Sequence, residues 1–183
     1  MNIKLKDSIS YVVFQTQWGF FGLAGTENAL IRAVLPSPNR KIVEKLLLKG
    51  LKNALLDINY RPDIQMRVRE FFDGCSTDFG DIPVQIDQFS QFTKKVLNAC
   101  RKVPFAETIT YSQLAEKIHS PAAARAVGTA LAKNPLPLLI PCHRIIRSDD
   151  NMGGFSAPGG TELKLKLIKH EFAVKRKRNV RYA

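Results

Sequence analysis

Cysteine is scarce in this 183-residue chain, and its three copies, Cys75, Cys100 and Cys142, stand far apart. No CxxC pair occurs and the number is odd, which argues against a disulfide framework and a structural zinc site. Histidine is equally sparse, and His119, His143 and His170 lack the spacing of zinc ligands. No metal and no other cofactor is expected. Long hydrophobic runs are missing too. The longest, such as Leu136 to Ile140, are far too short to cross a bilayer. The opening Met1-Asn2-Ile3-Lys4-Leu5-Lys6-Asp7 lacks the apolar centre of a secretion signal, so a cytoplasmic location with no membrane partner is expected. Acidic residues are in the minority: 16 Asp and Glu against 28 Lys and Arg leave a formal net charge of +12. That excess favours a polyanionic partner, of which nucleic acid is the commonest. A basic surface can also be only a solvated one, so charge by itself does not decide.

What is present is enough apolar residue, 45% of the chain, to build a sizeable core. The length suits one large domain or two small ones sharing an interface. Residues 8–35 read as a β-meander. Ile9 to Gln15 is rich in β-branched and aromatic residues, glycines punctuate the second run, and Glu27-Asn28 makes a turn before Ala29 to Leu35. After Pro36-Ser37-Pro38-Asn39 a helix is expected, with Ile42, Val43, Leu46 and Leu47 on one face. A second helix, about Pro62 to Phe72, carries Ile64, Val68, Phe71 and Phe72 and is closed by Asp73-Gly74. Residues 1–85 thus form a small α+β domain without a chemical motif. Gly80-Asp81-Ile82-Pro83 marks a linker region. Residues 86–175 turn mostly helical, and 176–183 read as a basic tail. Ser90 is the expected N-cap of a helix bearing Phe92, Val96, Leu97 and Cys100. Cys100 on that stripe reads as a core thiol, and Cys75 as structural or incidental.

Thr110 to His119 reads as a short helix with Leu114, Ala115 and Ile118 inward. Ser120-Pro121 restarts a helix, Ala122 to Leu131, so the pair resembles a helix-turn-helix. The second helix is nearly all small residues, with Arg125 alone in its middle. A helix that reads the major groove carries several long polar side chains. A small-residue helix instead lets its backbone approach phosphates or the minor groove, and Arg125 could then fill the gap left by an extruded nucleotide. The plain alternative is an Ala-rich helix packed on a neighbour, with Arg125 at its surface.

The strongest signal is Leu138-Leu139-Ile140-Pro141-Cys142-His143-Arg144-Ile145-Ile146, read as a buried apolar strand that delivers Cys-His-Arg. A core cysteine would explain Cys142 but not the two ionisable neighbours, which are rarely buried unpaired. A thiolate is a nucleophile, and an imidazole can make it available near neutral pH. Adjacent strand residues face opposite ways, so His143 would reach the sulfur through a water. Glu171 is the candidate partner of His143, and Arg144 a structural tie to carbonyls or a carboxylate. The following run, Ser148 to Gly160, offers free amides suited to the edges of a flat base, or is an ordinary connector. A last helix, Thr161 to Phe172, carries Leu163, Leu167 and Ile168 inward.

Pro141-Cys142-His143-Arg144 with two aliphatics after it resembles the signature of the O6-alkylguanine-DNA alkyltransferases, also called methylated-DNA–protein-cysteine methyltransferases. The resemblance runs from about Phe92 to Glu171. It takes in Val103-Pro104-Phe105-Ala106-Glu107-Thr108, Tyr111, Ala124-Arg125-Ala126-Val127-Gly128 and Asn134-Pro135. It implies an α+β fold: a small N-terminal ribonuclease-H-like α/β domain, then a mostly helical domain with a winged-helix-like helix-turn-helix. It implies a single-turnover repair enzyme that flips O6-alkylguanine out of double-stranded DNA, acts as a monomer and needs no cofactor. Activity on O4-alkylthymine stays open. By this resemblance Cys142 is the alkyl acceptor and His143 takes its proton through a water, oriented by Glu171. Tyr111 donates to the departing guanine, and Asn134 braces the turn before the acceptor. Arg125 replaces the flipped nucleotide, with Ala124, Ala126 and Gly128 against DNA. Met152, Gly153 and Ser156 line the base pocket.

The chain departs from the family pattern in several places. Ala106 stands where glycine is usual, Thr93 where glutamine is, and Phe155 where tyrosine often precedes the pocket serine. Ala157-Pro158 is a two-residue insertion, which bears on the pocket loop and on the size of alkyl group accepted. Three rivals are weaker. A module that binds alkylated bases without transferase activity would lack the acceptor cysteine. A transcription factor would need base-reading side chains that the Ala-rich helix lacks. A Cys-His hydrolase usually draws its histidine from a distant segment and needs an oxyanion hole.

Overall fold

The computed structural model describes residues 8–148 and 152–181. The expectation drawn from residues 1–7, the loop residues Asp149, Asp150 and Asn151, and the last two residues of the expected tail lie outside them.

The meander forms as its alternation requires. Strands β1 (Ser10–Thr16), β2 (Gly19–Gly25) and β3 (Leu30–Ser37) pair antiparallel. A short β4 (Leu55–Leu56), not anticipated from sequence, adds to β1 in parallel, giving the order β3-β2-β1-β4. Period-two alternation sorts β1 between two faces. Tyr11 and Val13 pack with Val43 and Leu47 of helix α1 (Arg40–Leu48), whereas Val12 and Phe14 join the main core with helix α2 (Pro62–Phe72). Asn39 caps α1 by accepting from the amides of Lys41 and Ile42. Ile42, expected on its inner face, is exposed instead; Val43 and Leu47 are the residues of α1 that are fully buried, with Leu46 and Leu48 partly so.

The second half is helical. Helix α3 (Gln91–Arg101) starts at Ser90, whose Oγ accepts from the Thr93 amide, and it buries Val96, Leu97 and Cys100. Strand β5 (Ile109–Thr110) leads into α4 (Tyr111–Lys117), where Thr110 and Gln113 form a reciprocal capping box. The turn after α4 is a Schellman closure. The Ser120 amide bonds the Ala115 carbonyl, the His119 amide bonds the Glu116 carbonyl, and His119 sits at a φ of 57°. A single 3-10 turn, Pro121–Ala123, precedes helix α5 (Ala124–Leu131). Ser120 makes no side-chain cap there, so the restart is gentler than the Ser-Pro pair predicts.

One correction concerns the segment before the acceptor. Leu136 to Ile140 is a tight turn with Leu138 at a φ of 78°, not a strand. Cys142–Arg144 is a 3-10 turn, and only β6 (Ile145–Ile146) is extended. A second concerns the C-terminus. Helix α6 runs Gly160–Arg181, so the basic run Lys175 to Arg178, expected as a separate tail, continues the helix.

One core joins both halves, from Val12 through Phe72, Leu97 and Ile140 to Leu167. Edge strand β3 is covered by the linker region and by the second half. The Ala33 amide bonds the Pro135 carbonyl, and Leu30 exchanges bonds with Pro83 and Gln85. The sheet therefore props the loop that leads to Cys142. The fold is mixed α/β, a small sheet layer followed by a helical region. Among the described residues no helix is long and apolar enough to cross a membrane.

Candidate active site

Three elements converge on Cys142. Its 3-10 turn opens with the Cys142 amide bonded to the Ile140 carbonyl at 2.8 Å and closes with Arg144 N–H on the Pro141 carbonyl at 2.9 Å. Asn134, just after α5, holds the approach. Its amide nitrogen donates to the Ile140 carbonyl at 2.8 Å and to Cys142 Sγ at 3.2 Å, while its Oδ1 accepts from the Leu136 amide at 3.0 Å. Asn134 thus ties the two ends of the turn together, and it also touches the sulfur, which the sequence did not suggest.

Behind the turn lies a buried polar knot. His143 Nε2 meets Glu171 Oε1 at 2.9 Å. Arg144 grips the same carboxylate through Nε at 3.1 Å and Nη2 at 2.9 Å, and its Nη1 donates to the Val103 carbonyl at 2.7 Å. The Ala106 amide adds a fourth donor to Glu171 at 3.0 Å. Ala106 is at a φ of 53°, a conformation costly for anything but glycine. The departure noted at this position is therefore a strained alanine, kept where its amide reaches the carboxylate.

Burial works against the charge on Glu171, but the hydrogen bond from His143 and the bonds and charge of Arg144 outweigh it and hold the carboxyl down at about 2. Burial pushes the His143 imidazole down, so it is neutral near pH 7. With Glu171 a carboxylate, the proton of a neutral His143 sits on Nε2. Nδ1 then carries a lone pair, and it is buried with no protein partner among the described residues. Burial also raises the Cys142 thiol, opposed by the Asn134 hydrogen bond. The resting sulfur is a thiol and needs a base.

Cys142, 9% exposed, is on the wall of two cavities. The larger, about 830 Å³, is lined by Tyr111, Ala124, Arg125, Gly128, Gly153 and Ser156 among others. The smaller, about 210 Å³, lies between β3 and the loop, with Pro137, Phe155, Ser156 and the inserted Ala157 and Pro158 on its walls. Of the expected site residues, His143 and Glu171 lie behind the turn and line neither cavity, and Ala126 and Met152 do not line either. Ala126 is exposed on α5 and Met152 is half-buried at the start of the loop.

Tyr111 is placed by the parallel pairing of β5 with β6, Ile109 against Ile145 and Thr110 against Ile146. That pairing was not foreseen from two such short runs. Two glycines flank the Tyr111 ring. A Cβ on Gly128 would sit 3.7 Å from it, and one on Gly153 only 2.9 Å from its hydroxyl. Among the described residues no group of three or more His, Cys, Asp or Glu is gathered where it could hold a metal.

Known proteins share both the sequence and the fold. The family model for the DNA-binding domain of 6-O-methylguanine DNA methyltransferase matches residues 91–173. A methylated-DNA–protein-cysteine methyltransferase of Methanocaldococcus vulcanius is 46% identical over 167 residues, 86% of this chain and 94% of that one. Its counterpart from Metallosphaera sedula is 39% identical over 137 residues, 75% of this chain and 84% of the other. The chain belongs to the methylated-DNA–protein-cysteine methyltransferase family. The solved structure of Mycobacterium tuberculosis OGT in complex with DNA superposes with a TM-score of 0.76 at 26% identity, over 90% of this chain and 94% of that one. Members of this methyltransferase family repair DNA by alkyl transfer to a cysteine, and that activity is this chain's own.

Lys164 was missed by sequence reasoning. It is wholly buried, donates to the Ile145 carbonyl at 2.5 Å and lies 5.6 Å from the Tyr111 ring centroid. The signal was available: Lys164, Leu167, Ile168, Glu171 and Val174 share one buried helical stripe, so both charged residues had to face inward.

Proposed function

We propose that the chain takes the alkyl group from O6 of a guanine extruded from duplex DNA onto Cys142 Sγ, once per molecule. The observation that carries this reading is the chain of contacts Asn134–Cys142 and His143–Glu171 beneath a cavity rimmed by Arg125 and α5.

The chemistry follows from the contacts. The Cys142 proton leaves through a bridging water to His143 Nδ1, the one ring nitrogen with a free lone pair. Glu171 holds the tautomer and stabilises the imidazolium. Asn134 keeps Sγ oriented and offers the growing thiolate a hydrogen bond. Sulfur attacks the alkyl carbon in line with its bond to O6, so an S–C bond forms as the C–O bond breaks. The electron pair goes to guanine, which takes a proton from the Tyr111 hydroxyl. Bulk water restores Tyr111 and His143. The product is a thioether without a route back.

Arg125, exposed at the cavity rim, fills the stack where the guanine leaves. Ala124 and Gly128 give that helix its smooth face. Gly153 and Ser156 border the base, and the alkyl group points into the smaller cavity with the Ala157-Pro158 insertion. The protein acts as a cytoplasmic monomer, without cofactor, on double-stranded DNA carrying O6-alkylguanine.

The test is Arg125→Ala against two substrates. Repair of O6-methylguanine in a duplex is expected to fall at least tenfold, while transfer from a free O6-alkylguanine base stays within twofold. Equal losses on both would remove the extrusion role.

A further inference from the structure

Lys164 stands in α6 with its ammonium sealed from water. Its three donors meet one carbonyl, that of Ile145, directly after the turn that carries Cys142. The face of Tyr111 lies beside it, and the sulfurs of Cys142 and the buried Cys100 are near enough to act on its charge. Among the described residues no carboxylate pairs with it. Glu171, two turns along the same helix, is fully taken up by His143, Arg144 and Ala106. Methionine would fill such a space without charge, so a sealed, half-satisfied cation needs a reason.

We propose that Lys164 is a positioning residue for alkyl transfer, its buried ammonium being the counter-charge that favours the Cys142 thiolate. This rests on the reading of Cys142 as acceptor. Burial disfavours the charged form of both groups: it pushes the Lys164 ammonium down and the Cys142 thiol up. Each charge opposes that effect on the other. The two therefore charge together more readily than either does alone. Lys164 gives and takes no proton in the transfer. It stays an ammonium while negative charge moves from Sγ to the guanine beside Tyr111, over whose ring it lies.

A plain structural role, tying α6 to β6 through the Ile145 carbonyl, makes different predictions. The full-length protein carrying Lys164→Met is compared with wild type. Two quantities are followed against pH: the thiolate absorbance of Cys142, taken as the difference from a Cys142→Ala control, and single-turnover transfer from a free O6-alkylguanine base. Charge support predicts that thiolate appears about one to two pH units higher in the variant. Transfer at pH 7 falls about tenfold or more, and the gap narrows as pH rises. An unchanged thiolate titration, or a loss constant across pH, overturns the proposal in favour of the structural tie. A second readout needs no variant. By linkage, the Lys164 Nζ titration followed by NMR in wild type drops by the same one to two units, roughly, once Cys142 is methylated. Identical midpoints in free and methylated protein overturn it as well. If wild type gains no alkyl group on Cys142 at all, the failure belongs to the acceptor assignment and not to Lys164.

Discussion

Replacing Glu171 by glutamine removes the one charge on which the buried knot depends. The carboxylate accepts from His143, Arg144 and the Ala106 amide, and Arg144 has no other anionic partner among the described residues. Breaking a buried ion pair from one side costs about 3–5 kcal/mol, because the remaining charge is left uncompensated. The pKa gives an independent figure. A carboxyl lowered from its ordinary 4.5 to about 2 contributes roughly 3 kcal/mol. The two magnitudes agree. The sign is that of a depressed acid: the contribution is complete above about pH 4.5 and is lost as pH falls toward about 2. Urea unfolding reads this directly, since Trp18, the only tryptophan, packs on His170 and Lys166 of α6 and on Phe72 of α2. Its fluorescence reports α6 leaving the sheet domain. Glu171→Gln is expected to lose about 3 kcal/mol at pH 7, with the deficit shrinking between pH 4.5 and 3. A deficit under about 1 kcal/mol, or one that stays constant as pH falls, would refute the reasoning.

Other outcomes follow from local geometry. Ala106→Gly relieves a left-handed alanine at the cost of a looser unfolded chain, so a net gain of about 0.5–1 kcal/mol is expected in the same urea assay. A loss would mean that the positive φ is not a strain. Gly153→Ala drives a methyl against the Tyr111 hydroxyl and ring, with both groups 2.9 Å away and φ at +66°. Transfer from free O6-alkylguanine base should drop at least tenfold with the melting temperature changed by only a few degrees. Wild-type rates would show that Tyr111 is not part of the site.

Much of this was legible in the sequence because it depends on local pattern. Pro62–Phe72 is bounded by its own proline and Asp73-Gly74, and Ser90 announces α3 by its cap. The charged triplet at Cys142 stood out against apolar surroundings, and the candidate pairing of His143 with Glu171 is what the folded chain contains. The failures share a cause. The two-residue strands β4, β5 and β6 exist only because a distant partner completes them. The tight turn at Leu136–Ile140 wears the apolar composition of a strand because both are buried. Lys164 drew no reading at all, although its phase with Leu167 and Ile168 places it inside. The basic run Lys175 to Arg178 was read as a tail from its charge, yet it completes a helix whose earlier turns are anchored by packing.

The most direct measurement is the intact mass of the protein after incubation with duplex DNA holding a single O6-methylguanine, followed by peptide mapping. The account predicts a gain of one methyl group per molecule, confined to the peptide containing Cys142, and no gain in Cys142→Ala. A methyl group on Cys75 or Cys100, or repaired DNA with an unchanged protein mass, would contradict it.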